Sequence, residues 1–239
     1  MDSIASRVEN LEEKIEAACR RCGRKRQEIS LLAVTKFHPL EAVEEAYRAG
    51  IRLFGESRVQ EAVEKYSPYQ RRIDGEIELQ LIGSLQRNKA KTAAAFFDTI
   101  QSVDRDSLID TLGALTMERE NPLMVLLEYH TGEESKAGFR SMDDLFRAAE
   151  KLESFPGLKP AGLMTMAPFT GEEAVIRAAF RELNTARAEL EKRFPAENHL
   201  SGRSWFNLSM GMTGDFEIAI EEGSTMIRIG TAIFGDAKL

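Results

Sequence analysis

Between residues 31 and 229, short apolar segments of strand character alternate with stretches of helical period, and no change in composition interrupts the alternation. The strand segments are Leu31–Thr35, Ile51–Gly55, Glu78–Gly83, Phe97–Val103, Leu123–Tyr129, Leu158–Met166, Phe206–Met210 and Thr225–Ile229. The helical stretches between them run from Pro39 to Ala49, Val59 to Tyr66 (closed by Pro68) and Gln86 to Phe96. Others run from a cap at Asp104 or Asp106 to about Glu118, from Ser141 to Ser154, from Glu172 to Phe194, and from Phe216 to Glu221. Eight such units predict a right-handed (β/α)8 barrel, an α/β fold of TIM type. Ile4, Val8, Leu11, Ile15 and Ala18 form one face of a helix that Gly23 ends, so the barrel gains a helix at its N-terminus rather than an eighth at its C-terminus. The reading is one domain over residues 1–239, with the helix at about 3–22 and the barrel at about 30–235. A doubly wound open sheet is the alternative, because periodicity does not count closure.

The net charge of -7 argues against a nucleic-acid surface or an anionic membrane as the main partner, while leaving room for a local basic pocket. The first residues lack the basic start and apolar run of a signal peptide, and no apolar stretch reaches membrane-spanning length, so a cytoplasmic protein is expected. Cys19 and Cys22 form a lone CxxC near a helix C-terminus, and the three histidines are scattered; no metal site is expected.

In such a barrel the C-terminal strand ends carry the site. These ends supply Lys36 after strand one, Glu56-Ser57-Arg58 after strand two, Ser84 after strand three, Gln101-Ser102 at strand four and Thr165-Met166 at strand six. Ser209 to Gly214 follow strand seven, and Gly230-Thr231 strand eight. Lys36 closes the buried run Leu31–Thr35 just before Pro39; desolvation there would lower its pKa and suit it to attack a carbonyl as a Schiff-base lysine. The plainer alternative is a lysine reaching out of a strand end. Barrels often hold a phosphate after strands seven and eight, where Ser209 and Thr213 offer hydroxyls and Gly211, Gly214 and Gly230 allow close approach. A plain turn is the alternative for that loop. Lysine and phosphate cradle together suit a phosphorylated aldehyde.

The segments LLAVTKFHP, FGESRVQEA, LIGSLQRNKAK, GLMTMAPF, LSMGMTGDFEIAI and RIGTAIFG, in this order from Leu31 to Gly235, resemble the pyridoxal phosphate homeostasis protein family, YggS/PROSC-like relatives of the alanine racemase N-terminal barrel. The resemblance implies that Lys36 forms the internal aldimine with pyridoxal 5'-phosphate (PLP). It further implies that Ser209, Gly211, Met212, Gly230 and Thr231 cradle the phosphate and ring, and that Arg228 faces the pyridine nitrogen. Ile227 and Ile229 point away from Arg228, which agrees with an inward arginine. Ser57 stands where the FGEN motif has asparagine and Ser84 where the IGH motif has histidine, so these positions depart from the family pattern.

The family implies a protein that buffers or delivers PLP in vitamin B6 and amino-acid homeostasis, with apo PLP-dependent enzymes as recipients. No strong turnover, and so no catalytic residue, is expected. An arginine at the ring nitrogen offers only donors and weakens the electron sink that catalysis needs. The second domain of the racemases finds no room in the ten residues after Ile229. Lys136, in the loop after strand five, is a candidate second amine for release, its alternative being a solvated loop lysine. The rival classes are a PLP-dependent amino-acid racemase or decarboxylase and a cofactor-free aldolase-type barrel that uses Lys36 directly. A monomer is expected.

Overall fold

The computed structural model describes residues 3–70, 77–132, 137–195 and 205–236. The chain opens with helix α1 (Ile4–Arg21), capped by the Ser3 hydroxyl, which accepts from the Ser6 amide at 3.2 Å. Its buried face carries Val8, Leu11, Ile15 and Ala18, and Gly23, at φ 71°, lets the chain turn away. Strands β1 (Ser30–Val34), β2 (Leu53–Glu56), β3 (Glu78–Leu81) and β4 (Thr99–Val103) alternate with α2 (Leu40–Arg48), α3 (Val59–Gln70) and α4 (Ala90–Phe96). After α5 (Asp106–Thr116) come β5 (Leu123–Glu128), α6 (Met142–Glu153), β6 (Leu158–Met164), α7 (Glu173–Arg193), β7 (Asn207–Ser209), α8 (Phe216–Glu221), β8 (Met226–Ile229) and α9 (Thr231–Phe234).

All eight strands are parallel, and β8 pairs back onto β1, aligning Leu32 with Arg228. The sheet is therefore a closed barrel, and the open-sheet alternative falls. The period of two divides each strand between two environments. Outward residues such as Ala33, Phe54, Leu79, Ile100, Val125, Leu163 and Ile227 join the main core between barrel and helices. Inward residues form two small apolar clusters, Leu32–Val34–Met226 and Leu126–Ala161–Met164, with polar side chains between. Helix α1 packs against α2, α8 and α9 and so covers the outside of the β8–β1 seam. A helix does follow β8, contrary to the sequence reading; at four residues α9 is too short to cover that face, which is why α1 is needed there.

Three local expectations change. Helix α3 continues through Pro68 to Gln70, since a proline near a helix end sacrifices little of the remaining ladder. Arg105, not Asp104 or Asp106, stands at the N-cap of α5, without a side-chain cap bond. Strand β2 starts at Leu53 and includes Glu56, because Ile51 serves the core from the preceding loop. Among the described residues no helix is long and apolar enough to cross a membrane, and no cluster of metal-binding side chains occurs.

One backbone position is constrained on two counts. Where the β5–β6 register shifts, Gly162 has φ 153°, and a Cβ there would lie 1.9 Å from the Asn207 carbonyl oxygen on β7. Gly162→Ala is expected to cost about 3 kcal/mol or more, read as a fall in the urea midpoint at unchanged m-value.

Candidate functional site

The site rests on a buried arginine. Arg228, the third residue of β8, faces the barrel interior and is 4% exposed. Its guanidinium donates to the Ser209 hydroxyl at 2.8 Å and to the Thr165 carbonyl at 2.8 Å. Ser209 donates onward to Gln101 Oε1 at 2.6 Å, and Gln101 Nε2 donates to Gln80 Oε1. The Gln80 amide donates to Glu78 Oε1 at 2.7 Å. One chain of hydrogen bonds thus links β3, β4, β7 and β8 across the interior. Burial lowers the Arg228 pKa to about 10, a fall opposed by Asp215 and Glu128, and the group stays cationic at neutral pH.

Above this floor, on the C-terminal face of the barrel, lies a cavity of about 450 Å³, a size suited to a small organic ligand. Val34, Ile82, Met164, Met166 and Met212 give it apolar walls; Ser57, Ser84, Thr213 and Thr231 give it hydroxyls. Gly83, Gly214 and Gly230 line it with bare backbone. A Cβ at Gly83 would lie 2.2 Å from the Ser57 carbonyl, so the loops after β2 and β3 can meet only around a glycine. No described hydrogen bond uses the amides of Thr213 and Gly214, while the neighbouring Met212 amide is held by Asp215 Oδ1 at 2.6 Å.

Lys36 also lines the cavity, from the turn that follows β1. It is exposed, and the desolvation read from the sequence is absent: the buried strand ends at Val34–Thr35, and the lysine lies beyond it. Phe37, the next residue, holds φ 65°, an unusual left-handed conformation for an aromatic residue.

Of the residues singled out from sequence, the cavity brings together Lys36, Ser57, Ser84, Met212, Arg228, Gly230 and Thr231. Ser209 and Gly211 lie behind its wall. The Ser209 hydroxyl is spent on Arg228 and Gln101, and Gly211, at φ 95°, meets α8, where a Cβ would come within 2.5 Å of Ala219 Cβ. Lys136 lies outside the described residues.

Sequence reasoning missed Glu128. It ends β5, four strands from β1 in the closed barrel, so it faces the cavity from the side opposite Lys36. It is the one carboxyl among the described lining residues, 6% exposed, and its carboxyl accepts no hydrogen bond among the described residues. Burial raises its pKa to about 7, with Asp104 adding to the rise and Arg228 opposing it. The parity of Met124, Leu126 and Glu128 along β5 was the available signal.

The donor set fits a flat, anionic aldehyde such as PLP: an accessible amine on one side, a buried guanidinium below, apolar walls, and hydroxyls with unused amides for an anion. Comparisons with known proteins agree. Residues 7–238 match the family described as alanine racemase, N-terminal domain. The pyridoxal phosphate homeostasis protein of Vibrio cholerae is 38% identical over 238 residues, covering 99% of this chain and 97% of the relative. The chain belongs to this family. PipY of Synechococcus elongatus, solved with PLP bound, is 33% identical with a TM-score of 0.83, covering 98% of this chain and all of that one. An alanine racemase of Clostridium difficile shares the fold at a TM-score of 0.75 with 10% identity; the match covers 99% of this chain and 57% of the racemase.

Glu128 makes stability depend on pH in a defined direction. Its folded pKa lies above the ordinary carboxyl value, so the folded state binds the extra proton, and its contribution is present at low pH and lost as pH rises through about 7. The span is roughly 3 kcal/mol. Glu128→Gln should remove this component, so urea titrations at pH 5 and pH 8 should differ less in the variant than in the parent.

Proposed function

We propose that this chain binds pyridoxal 5'-phosphate in the cavity and acts as a PLP homeostasis protein that buffers or delivers the cofactor in vitamin B6 and amino-acid balance. The observation that carries the reading is that one cavity presents the Lys36 amine and the Arg228 guanidinium together. When bound, the group supplies an aldehyde carbon that amines capture reversibly. Lys36 would hold that carbon. Arg228 would meet the ring nitrogen, and Thr231, Gly230, Thr213 and Gly214 the phosphate, with Met212 against the ring. Ser57 is placed to contribute its short hydroxyl. Ser209 and Gly211 would act from behind the wall: Ser209 by fixing Arg228, Gly211 by letting the loop close on α8.

The arginine favours holding over conversion. A guanidinium offers donors only, so the ring nitrogen it meets is kept from its proton. We take residues 1–239 as one PLP-binding domain, cytoplasmic and monomeric, with apo PLP-dependent enzymes as recipients. A closed barrel without sheet edges and two free cysteines support this. Lys136 remains the candidate second amine for release.

The visible spectrum of the purified protein tests the cofactor assignment. The parent, loaded with PLP, should show a chromophore that borohydride fixes to Lys36, found by peptide mapping, and Lys36→Ala should lack it. A protein that stays colourless after loading returns the cofactor-free aldolase-type barrel to first place.

Glu128 favours a second reading, PLP-dependent amino-acid chemistry such as racemisation or decarboxylation. A carboxyl that keeps its proton near pH 7, opposite the amine, can take or give a proton at its carboxyl oxygen. That reading predicts α-hydrogen exchange of amino acids in deuterated water, measured by NMR and lost in Glu128→Gln; the carrier reading predicts no exchange above that of free PLP.

A further inference from the structure

The exposed Lys36 needs something other than burial to direct it, and the turn that carries it is held from outside the cavity. Lys65, on α3, is nearly buried, its side chain 8% exposed. Its ammonium donates to the Thr35 carbonyl at 2.7 Å, to Glu56 Oε1 at 2.7 Å and to Glu61 Oε1 at 3.4 Å. Three donors thus meet three acceptors. The same Glu61 oxygen accepts the Phe37 amide at 2.6 Å. The carbonyl before Lys36 and the amide after it are therefore tied to one Glu56–Lys65–Glu61 triad on β2 and α3.

The neighbouring contacts stiffen this arrangement. The Thr35 hydroxyl donates to Glu56 Oε1 at 2.7 Å and lies 2.6 Å from the Tyr66 hydroxyl. Glu56 is fully buried, and its Oε2 has no hydrogen-bond partner among the described residues, so the carboxylate depends on Lys65 for compensation. Phe37 keeps its left-handed φ of 65° where Glu61 holds its amide.

We propose that Lys65 and Glu61 are positioning residues for Lys36: they fix both peptide groups that flank it and so aim its amine into the cavity, while Lys65, saturated by its three acceptors, is withdrawn from reaction. The inference rests on the PLP reading for its consequence and on the triad alone for its geometry. The triad orients the lysine; it does not activate it. The amine chosen for covalent capture is the one that lines the cavity and that no acceptor among the described residues holds; of Lys36 and Lys65 that is Lys36.

Two variants test this, Glu61→Ala and the charge-balanced Lys65→Met/Glu56→Gln, each checked for an unchanged far-ultraviolet circular dichroism spectrum. The first readout needs no cofactor: hydrogen exchange of the Phe37 amide should quicken about tenfold or more in Glu61→Ala, as expected when one hydrogen bond to a charged group is lost. The second is the dissociation constant of PLP, which should rise about tenfold in both variants, while acylation of the Lys36 amine by a small anhydride changes less than about twofold. Unchanged exchange at Phe37 overturns the strap, and faster exchange with PLP affinity within twofold of the parent overturns its positioning role. If the double variant does not fold, Glu61→Ala decides alone. A parent protein that takes up no PLP defeats the cofactor reading and with it the positioning role, while the exchange result still stands for the strap.

Discussion

A guanidinium inside a β-barrel is the constraint to which the rest of this structure answers. Stripping Arg228 of water costs several kcal/mol, and only hydrogen bonds of good geometry offset that cost. The Ser209 hydroxyl and Thr165 carbonyl supply two, each worth about 1.5–3 kcal/mol for a charged donor. Ser209 can be held in place only if its own proton has an acceptor, which brings in Gln101, then Gln80, then Glu78. A hydrocarbon-filled barrel would need none of these. The polar chain divides the interior into two small apolar clusters and leaves the stability of the domain to the larger core between strands and helices.

The same constraint shapes the electrostatics of the cavity. Arg228 provides a fixed positive floor, and the one carboxyl among the described lining residues, Glu128, holds its proton up to about pH 7. Below that pH the cavity presents cation, hydroxyls and amides with no opposing anion. Above it, a negative charge appears on the wall facing Lys36. An anionic ligand is thus met by complementary charge at neutral and acid pH, and the protein accomplishes this with an overall charge of -7. The acidic composition describes the outer surface; it says little about a pocket that two or three buried groups define.

The fold was legible because closure of a parallel sheet demands the same alternation eight times, and a period repeated that often survives local errors. The boundaries were less so: Ile51 reads as strand but fills the core from a loop, and Pro68 reads as a stop but stands inside α3. The inward face of Arg228 followed from its apolar neighbours on either side. Ser209 and Gly211 sit in a motif that reads as ligand contact, yet one anchors the arginine and the other lets the chain pass α8, because a motif records which residues matter without saying what they touch. Glu128 escaped notice inside the most apolar run of the chain. Lys65 and Glu61 look like an ordinary charged pair one helical turn apart, and only the folded chain shows them reaching back to the peptide groups around Lys36.

The two cavity residues that sequence and structure treat differently, Arg228 and Glu128, pull the chemistry in opposite directions. An arginine against a pyridine nitrogen denies it the proton that would draw electrons into the ring, and so disfavours breaking bonds at a carbon joined to it. A carboxyl near pH 7 opposite the lysine is what proton transfer at such a carbon would need. Both effects act on the same step, the first through the stability of the developing negative charge and the second through the group that takes or returns the proton. A weaker sink leaves more of the barrier for an acid or base to overcome, and the balance of the two effects decides between holding a ligand and converting it. The exposed turn of Lys36 bears on this balance, since an amine open to water at the cavity rim is within reach of a second amine as well as of a ligand.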